Sequence, residues 1–538
     1  MLNLNSRGRI KIFTSEREIT SENVLSVLQK AVAIHNLNAA DIQALLDYEK
    51  GDQPLARLKM FYPEIDIEVS DNAANYVTSF WEGFFWGEPA FLVQRGHKEA
   101  HGTDPEADGY AIAELNEMLV NGADVGYLDQ KLAHFVEVSG IGHQMVDFKV
   151  DVDAEEKDLL FNLYTLDSRN AFVVYYNGVG ERPVMGVSFR RNTSLDTGIT
   201  VVDGMASLSG NAYTVVTENS FYEIVDGEIV EEAVNPFGKV TIVEYERAVD
   251  RMGVFERNIS EMDSLNTMVS DLSDDIAQRV QEIWWGNDVA FPVDKNTGKP
   301  LPPRDGQWVL TSTNGGAKNP AIKPLSSSLD ANATLKNISY RWSRILQKCK
   351  VPLTMDSEGG GSTGTAMNMS SGWSAAEVDA LKRERMIGKG KREVVNLILS
   401  AIRMLPENIL PADDILRALH RTDIDLHFNR NRNYDLATKA NSIGTLLAHG
   451  IYGKHALSCA DLFPDVEQVW NDSKDSIEKY QASIYERYHD SSYFHGDETA
   501  AQQSENKANS DRTMADSSDQ TGNSPILDGM NTDSNKAK

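Results

Sequence analysis

A long amphipathic helix predicted over Glu256–Trp285 constrains this chain more than any other stretch. Its apolar residues recur at steps of three and four, which places them along one face of a helix. They are Ile259, Met262, Leu265, Met268, Leu272, Ile276, Val280 and Ile283. At 1.5 Å per residue the helix would be about 45 Å long. A single apolar stripe of that length needs a packing partner from elsewhere in the chain.

The spacing predicts that partner over Ala331–Lys350, a second helix that is basic where the first is acidic. Its apolar face consists of Leu335, Ile338, Trp342, Ile345, Leu346 and Cys349. Opposite charge favours antiparallel packing of the two helices. The intervening residues 286–323 contain five prolines and short strands at best, so we expect a small module inserted at the far end of a two-helix stalk.

A glycine- and serine-rich segment, Asp356–Gly372, follows the second helix and is predicted to be a flexible loop. After it, the apolar pattern predicts a long helix over Trp373–Met404. Gly388 and Gly390 interrupt that pattern, which predicts a kink.

The N-terminal third is predicted to be mainly helical. Two short helices are expected over Asn23–Ile34 and Ala39–Tyr48, the second with Asn38 as its N-cap. An aromatic helix over Asp71–Phe85 ends at a Gly/Pro signal, and a strand begins within Ala90–Val93.

From Lys149 to Glu246 the pattern changes to short segments rich in β-branched and aromatic residues, which predicts a mostly antiparallel meander. Ile424–Phe428 is a further strand that we expect to rejoin this β region. Terminal helices are expected over Asp435–Ala448, Ser458–Leu462 and Val466–Tyr488. The polar tail, residues 489–538, is predicted to be disordered. The fold class is therefore α+β.

Composition excludes several classes of protein. The 538 residues carry a net charge of −28, with 80 acidic against 52 basic side chains, which argues against a protein that grips nucleic acid by neutralising phosphates. The same acidic composition permits a protein along which nucleic acid slides without sticking. No run approaches the roughly 18 apolar residues of a membrane span. The N-terminus lacks the apolar core of a signal peptide, so we expect cytosolic synthesis. Cys349 and Cys459 are expected to be buried or half-buried free thiols.

No segment fits a catalytic or cofactor-binding motif. The run Gly359–Thr365 has the glycine spacing of a phosphate-binding loop, but Thr365 stands where the phosphate-neutralising lysine is required. His97 and His101 are one helical turn apart without a third ligand, and Asp151–Asp158 lacks calcium-loop spacing. A nucleotide- or metal-dependent enzyme built on these residues remains the alternative from another class. We expect no catalytic residue, no metal site and no cofactor.

The order of these parts, with specific local strings, resembles portal proteins of tailed bacteriophages, most closely the type found in long-tailed phages of Gram-positive bacteria. The resemblance covers about residues 40–490. The strings that carry it are LLDYEKGDQPL, NYVTSFWEGFFWGEPAFL, LDSRNAFVVYYN, NPFGKVTIVEYERAVDRMGVFERNISEMDSLNTMVSD, VPLTMDSEGGGSTGTAMNMSSG, IDLHFNRN and ALSCADLFPDVEQVWND.

The resemblance implies a ring, usually of twelve copies, at one vertex of the phage head, with double-stranded DNA passing through its centre. It also implies a division of the chain into named parts. These are a β-rich and helical wing (1–255 and 405–434), two stem helices (256–285 and 331–350), a small α/β clip (286–330), a tunnel loop (351–372), a long kinked wing helix (373–404) and a helical crown (434–488).

The implied roles are genome packaging, head-to-tail attachment and genome ejection, without enzymatic activity of its own. The implied partners are further copies of the chain, DNA, the major capsid and scaffolding proteins, a packaging terminase and a head-completion adaptor. The protein would be assembled in the host cytoplasm and reside at a capsid vertex of the virion. The alternative within the virion is another structural component, such as a minor head or baseplate protein.

A channel lined by carboxylates repels the phosphate backbone and so keeps DNA from sticking. On this basis we predict residues of the first stem helix and of the loop as candidates for the channel. They are Glu261, Asp263, Asp271, Asp274, Asp275, Glu282, Asp356, Glu358, Ser362, Thr363, Thr365 and Asn368. The stem carboxylates could alternatively pair with a neighbouring subunit.

Overall fold

The computed structural model describes residues 8–55, 57, 65–94, 105–148, 159–191, 210–280, 284–290, 308–315, 318–324, 331–353, 372–428, 430, 436–460, 463 and 466–489. This part of the chain contains both helices and strands, which confirms the mixed α+β class. The chain divides into two compact units, Met1–Asn433 and Tyr434–Lys538.

The first unit begins with helices and then becomes mostly β-structure. Its elements up to the stem are β1 (Ile12–Thr14), α1 (Val24–Lys50), α2 (Ala73–Phe85), β2 (Phe91–Gln94), α3 (Pro105–Glu117), a π-helical turn (Met118–Gly122), α4 (Val125–Ser139), β3 (Ile141–Phe148), β4 (Phe161–Leu166), β5 (Ala171–Tyr176), β6 (Pro183–Arg191), β7 (Asn211–Thr217), β8 (Ser220–Val225), β9 (Glu228–Val234) and β10 (Ile242–Glu246).

The stem and the elements after it complete this unit. They are a short 3₁₀ turn (Glu256–Asn258), α5 (Ile259–Val280), β11 (Trp284–Asn287), β12 (Trp308–Thr311), β13 (Ala321–Pro324), α6 (Ala331–Lys348), α7 (Trp373–Met404), α8 (Ile415–Ala418), a second 3₁₀ turn (Arg421–Asp423) and β14 (Ile424–His427).

The predicted meander is confirmed as a six-stranded sheet in the order β1-β5-β6-β7-β8-β9, in which only β1 pairs in parallel. Side chains of α1 such as Leu28 pack on Phe172 and Met185 of this sheet, so helix and sheet share one apolar core. A second sheet has the order β10-β3-β4. The sequence reading missed β1, β3 and β9, because these segments are very short or rich in polar residues.

The first predicted helix pair is wrong, since α1 runs without interruption from Val24 to Lys50. Asn38 is therefore inside the helix and does not cap it. Its side chain is buried and pairs with the backbone of Ile10 in both directions, accepting from the amide and donating to the carbonyl at 2.8 Å each. The polar residue that suggested a helix boundary instead attaches the N-terminal strand segment to the middle of α1.

The first stem helix is shorter than predicted, because it ends at Val280 and Trp284–Asn287 forms strand β11. This strand pairs in parallel with β12 and antiparallel with β13, and the rings of Trp284 and Trp308 stack with centroids 5.8 Å apart. The two tryptophans therefore belong to the small inserted sheet. The 22 residues of α5 span about 33 Å.

The closing strand was placed in the wrong sheet by the sequence reading. β14 pairs antiparallel with β2, with Ile424 opposite Gln94 and His427 opposite Phe91, rather than with the meander. This short two-stranded sheet connects the start of the first unit to its end.

The glycines of α7 do not interrupt it, since the helix is continuous from Trp373 to Met404. Gly390 has a packing role instead: a Cβ there would lie 2.6 Å from the ring of Tyr245 on β10. At Gly388 the nearest such contact would be 3.5 Å, which is an ordinary distance. Absence of a side chain at position 390 thus allows the helix to lie against the sheet, while the predicted bend of its axis stays a prediction.

These two glycines provide a matched pair of variants. Gly390→Ala should lower the free energy of unfolding by about 1–3 kcal/mol, because the methyl group overpacks the contact with Tyr245. Gly388→Ala should raise it by about 0.5–1 kcal/mol through helix propensity. Urea unfolding followed by circular dichroism measures both. Equal effects of the two substitutions would contradict the packing role of position 390.

The second unit consists of helices α9 (Leu436–Ala448), α10 (Gly453–Ala460) and α11 (Val466–His489) among its described residues. The three helices were predicted, although α10 begins at Gly453 rather than at Ser458. Trp470 of α11 is buried and its ring lies 4.9 Å from that of Tyr452. The predicted disordered tail lies outside the described residues, except for His489 at the end of α11.

Candidate functional site

The base of the stem is an apolar contact between the start of α5 and the end of α6. Ile259, Met262 and Leu265 are buried there, in the same core as Ile345 and Leu346 of α6. The first turns of one helix therefore lie beside the last turns of the other. This confirms the predicted antiparallel arrangement of the two stem helices.

Charge complementarity between the stem helices is also present within one subunit. Glu261 of α5 pairs with Arg344 at 3.3 Å and with Lys348, both near the end of α6. The Glu261 side chain is only 15 % exposed, so it is held between the two helices. Glu261 was predicted for the channel or for a pair with a neighbouring subunit, and its cation partners in the structure lie on α6 of the same subunit.

Beyond Leu265 the buried face of α5 is polar rather than apolar. The predicted stripe residue Ile276 is 55 % exposed. Asn266, Ser270 and Asp274 are buried instead, four residues apart and hence on one face of the helix. A helix face of this kind is suited to binding backbone amides, which carry donors that burial would otherwise leave unsatisfied.

The backbone amides come from the segment 65–71, which lies along α5. Each of the three polar side chains accepts one of them. The bonds are Asp71 N to Asn266 Oδ1 at 3.0 Å, Val69 N to Ser270 Oγ at 2.9 Å and Ile67 N to Asp274 Oδ1 at 2.8 Å. The regular spacing of Asn266, Ser270 and Asp274 was a signal in the sequence, and the apolar pattern obscured it.

Arg57 attaches this segment to the stem more firmly. Its guanidinium donates to Asp274 at 2.7 Å, to Asp271 at 3.2 Å and to Asp66 at 2.7 Å. The Asp274 side chain is 4 % exposed and both of its oxygens are bonded within the subunit. The prediction that Asp274 lines a channel or pairs with a neighbour is therefore wrong, since the carboxylate is used internally.

The other predicted stem carboxylates differ in exposure. Asp263 is half-buried and accepts from the Tyr48 hydroxyl at 2.8 Å, and burial raises the pKa of Asp263. Asp275 is exposed on α5, as is the side chain of Asp271 beside Arg57. The remaining candidates lie outside the described residues: Glu282, Asp356, Glu358, Ser362, Thr363, Thr365 and Asn368.

Hydrogen bonds and a cation–π contact link the base of the stem to α7. The carbonyl of Cys349, just after α6, accepts from Trp81 Nε1 at 3.1 Å. The guanidinium of Arg383 on α7 lies 3.6 Å from the centroid of the Trp81 ring system and pairs with buried Glu137 of α4. Asp379 accepts from Arg383 Nε at 3.0 Å. Helix α2, which carries Trp81, thus connects the stem with the long helix.

The segment 354–371 begins and ends at the same corner of the protein. A Cβ on Gly372 would lie 3.8 Å from the Cα of Pro352, so the two flanks nearly touch. Trp373 packs against Phe84 and Phe80 of α2, with ring centroids 5.5 and 6.1 Å apart. The predicted tunnel-loop residues therefore leave and re-enter the fold between the end of the stem and the start of α7.

The two thiols differ, so the expectation that both are at least half-buried is wrong for Cys459, which is exposed on α10. Cys349 is buried, and burial raises the pKa of its thiol to about 11. We expect a thiol reagent such as DTNB to modify one of the two cysteines in the folded protein, because thiolate fraction and access control the reaction. Cys459→Ser should abolish that reaction, and denaturant should restore reactivity at Cys349. Rapid modification of the Cys459→Ser variant without denaturant would contradict burial of Cys349.

The sequence candidates for metal and nucleotide chemistry, His97, His101, Asp151–Asp158 and Gly359–Thr365, lie outside the described residues. Within the described ranges, no three His, Cys, Asp or Glu side chains are grouped so that they could hold a metal ion. In the same ranges no helix has the length and apolar character needed to span a membrane.

The fold and the site define a structural protein organised around a two-helix stem, with a small sheet inserted between the helices and with Pro352 and Gly372 close together at its base. A family model for phage portal proteins of the SPP1 Gp6-like type matches residues 113–484, which is more than half of the chain. No individual curated protein matches the chain. The chain belongs to the SPP1 Gp6-like family and is a phage portal protein.

Proposed function

We propose that the protein forms a ring-shaped DNA conduit at one capsid vertex and acts in genome packaging, head-to-tail attachment and genome ejection. The observation that carries the proposal is that Pro352 and Gly372, which flank residues 354–371 in the chain, nearly touch at the base of the stem. A segment anchored at both ends beside a two-helix stem can contact a strand of DNA while the stem stays in place. This arrangement suits a portal, the class to which the family assigns the chain.

The parts of the portal follow the elements described above, with sharper limits for the stem and the clip. The wing comprises residues 1–255 and 405–434, the tunnel loop 351–372, the long wing helix 373–404 and the crown 434–488. The stem helices are Ile259–Val280 and Ala331–Lys348, and the clip contains the sheet that begins at Trp284.

Copies of the chain associate through the stem. The outer side of α6 exposes Leu335, Lys336 and Tyr340, with Leu335 51 % and Tyr340 61 % exposed, and α5 exposes Asp271 and Asp275. An acidic helix of one copy beside a basic helix of the next covers the apolar side chains and pairs the charges. The ring contains about twelve copies, the number implied by the resemblance, and the unlike surfaces that meet at each contact are of the head-to-tail kind from which rings are built.

DNA passes through the conduit without binding tightly to it. Exposed Asp275, together with Glu282 and the loop carboxylates Asp356 and Glu358, would repel phosphates, whereas a basic lining would hold them with salt-dependent affinity. Ser362, Thr363, Thr365 and Asn368 provide neutral contacts in the same loop. The other partners are the major capsid and scaffolding proteins, a packaging terminase that supplies the motor work, and a head-completion adaptor.

Negative-stain electron microscopy and native mass spectrometry test the conduit directly. We expect closed rings with a central channel at micromolar protein concentration, and no hydrolysis of ATP above background by the purified protein. A protein that stays monomeric at every salt concentration, or ATP turnover that Thr365→Ala abolishes, would overturn the proposal.

A further inference from the structure

Helix α7 presents one exposed face that is apolar at its start and basic further along. We call it the α7 outer face. Its members recur at helical spacing and lie on a single side of the helix. They are Val378, Leu381, Lys382, Arg385, Lys389 and Arg392, all exposed.

The basic charges of this face are not neutralised by the acidic residues of α7, which bind other cations. Glu377 and Glu384 both pair with Arg430, and Asp379 pairs with Arg383. Glu393 lies 3.9 Å from Lys239 and 3.8 Å from Arg421. No ion pair joins Lys382, Arg385, Lys389 or Arg392 to a carboxylate in the described part of the chain. A partner from outside the subunit can therefore supply the negative charge.

Strand β9 has the complementary character. It is one of the two edge strands of the six-stranded sheet, and six of its seven residues are exposed. Val230 and Val234 are 65 % and 81 % exposed, and the strand carries Glu228, Glu231 and Glu232. None of these three carboxylates has a basic partner among the described residues. We call Glu228–Val234 the β9 edge.

An exposed sheet edge with apolar side chains tends to pair with other chains unless something covers it. The α7 outer face is apolar and basic, and the β9 edge is apolar and acidic. The two surfaces therefore match in apolar character and are complementary in charge. DNA would use the cations of α7 but would leave Val378 and Leu381 uncovered. The paired apolar patches thus favour protein as the occupant.

We propose that in the assembled ring the β9 edge of one copy docks on the α7 outer face of the next. This inference rests on the proposed ring. The contact joins two different surfaces, which is the kind of interface that propagates from copy to copy and closes into a ring. It adds a wing-to-wing contact to the association of the stems.

Two charge-reversed variants and their mixture test the docking. The first carries Lys382→Glu, Arg385→Glu and Lys389→Glu, and the second carries Glu228→Lys, Glu231→Lys and Glu232→Lys. Each variant alone brings like charges together at every contact. We expect the fraction of chain in rings to fall at least about tenfold, measured by native mass spectrometry, because like-charge contacts oppose association strongly.

Mixing the two variants should restore the rings. In an alternating ring the reversed α7 outer face of one variant meets the reversed β9 edge of the other, and the two unaltered surfaces meet at the remaining contacts. We expect rings with equal numbers of the two variants. Recovery also shows that both variants are folded.

The control matched to the β9 variant carries Glu16→Lys, Glu22→Lys and Glu407→Lys, which make the same charge change as that variant at exposed carboxylates elsewhere. It should form rings as the wild type does. Wild-type levels of rings from either docking variant alone would overturn the inference, and so would failure of the mixture to form rings. If the α7 variant forms rings and instead loses salt-dependent DNA binding, the α7 outer face binds DNA and the inference is overturned. Absence of rings in the wild type would overturn the proposed function as well, so the two failures can be told apart.

Discussion

Replacing Arg383 by methionine is expected to lower the free energy of unfolding of the first unit by about 3–5 kcal/mol. The guanidinium is buried between α2, α4 and α7, where it pairs with Glu137, donates to Asp379 and stacks on Trp81. Its removal takes the directly paired cation from the buried carboxylate of Glu137, which keeps a hydrogen bond from Trp86 Nε1 at 3.1 Å and a longer-range interaction with Arg247. A buried carboxylate that loses its directly paired cation is far more destabilising than loss of a surface ion pair.

Two further variants make the Arg383 result specific. Arg385→Met, two residues away on the exposed face of the same helix, should change stability by less than about 0.5 kcal/mol. The double variant Glu137→Gln/Arg383→Met should be more stable than Arg383→Met alone, because the buried charge is removed together with its partner. Urea unfolding of the full chain measures these three variants and the single variant Glu137→Gln. If the two substitutions acted independently, the double variant would be less stable than Arg383→Met by the full effect of Glu137→Gln alone. That result would contradict the coupling between Glu137 and Arg383.

The second large effect concerns pH and a buried histidine. His35 is fully buried, donates from Nε2 to the carbonyl of Arg169 at 2.8 Å and stacks on Phe172 with centroids 4.6 Å apart. Burial is the main cause that lowers the pKa of His35 to about 4. The neutral ring is therefore the form that the folded protein holds near pH 6.

The sign of the pH dependence follows from this lowered pKa. Between about pH 6.5 and 4 the unfolded chain binds a proton at His35 and the folded chain does not, so stability falls as pH falls through this window. From pH 7 to pH 4.5 this residue should remove about 2 kcal/mol of unfolding free energy. The substitution His35→Gln should reduce by that amount the difference between the free energies of unfolding at pH 7 and at pH 4.5.

His134 provides a control of opposite sign. Its ring lies 2.9 Å from Glu82, whose hydrogen bond is the main cause that raises the pKa of His134. A raised pKa contributes stability at low pH that is lost as pH rises, so His134→Gln should steepen the loss of stability on acidification. Urea unfolding at the two pH values measures both variants. If His35→Gln and His134→Gln both changed the pH dependence of the free energy of unfolding in the same direction, the burial argument would be refuted.

Much of the fold could be read from local periodicity. The helical spacing over α5, α6 and α7 and the β-branched segments of the meander predicted those elements, because amphipathic patterns depend on neighbouring residues alone. Mistakes arose where the role of a residue depends on a neighbour distant in the chain. Asn38 was read as a helix cap and Gly388 and Gly390 as interruptions, because the sequence does not show that Ile10 and Tyr245 are their neighbours in space.

The candidate site shows the same division. Glu261 was predicted to face the channel or to pair with a neighbouring subunit, whereas its partners Arg344 and Lys348 lie on the second stem helix of the same subunit. The clustering of Trp81, Arg383 and Glu137 could not be predicted. Arg383 is more than two hundred positions from both Glu137 and Trp81 in the chain, and no local pattern connects the three.

The sequence by itself determined that an acidic helix and a basic helix flank a small module and precede a glycine-rich segment. This order carried the resemblance to portal proteins. The tertiary structure alone decided which carboxylates of the acidic helix remain exposed. Asp274 and Asp275 are adjacent and chemically identical, yet Asp274 is buried and Asp275 is exposed. The physical reason is that Arg57 and the amide of Ile67, more than two hundred residues away along the chain, pair with the one and not with the other.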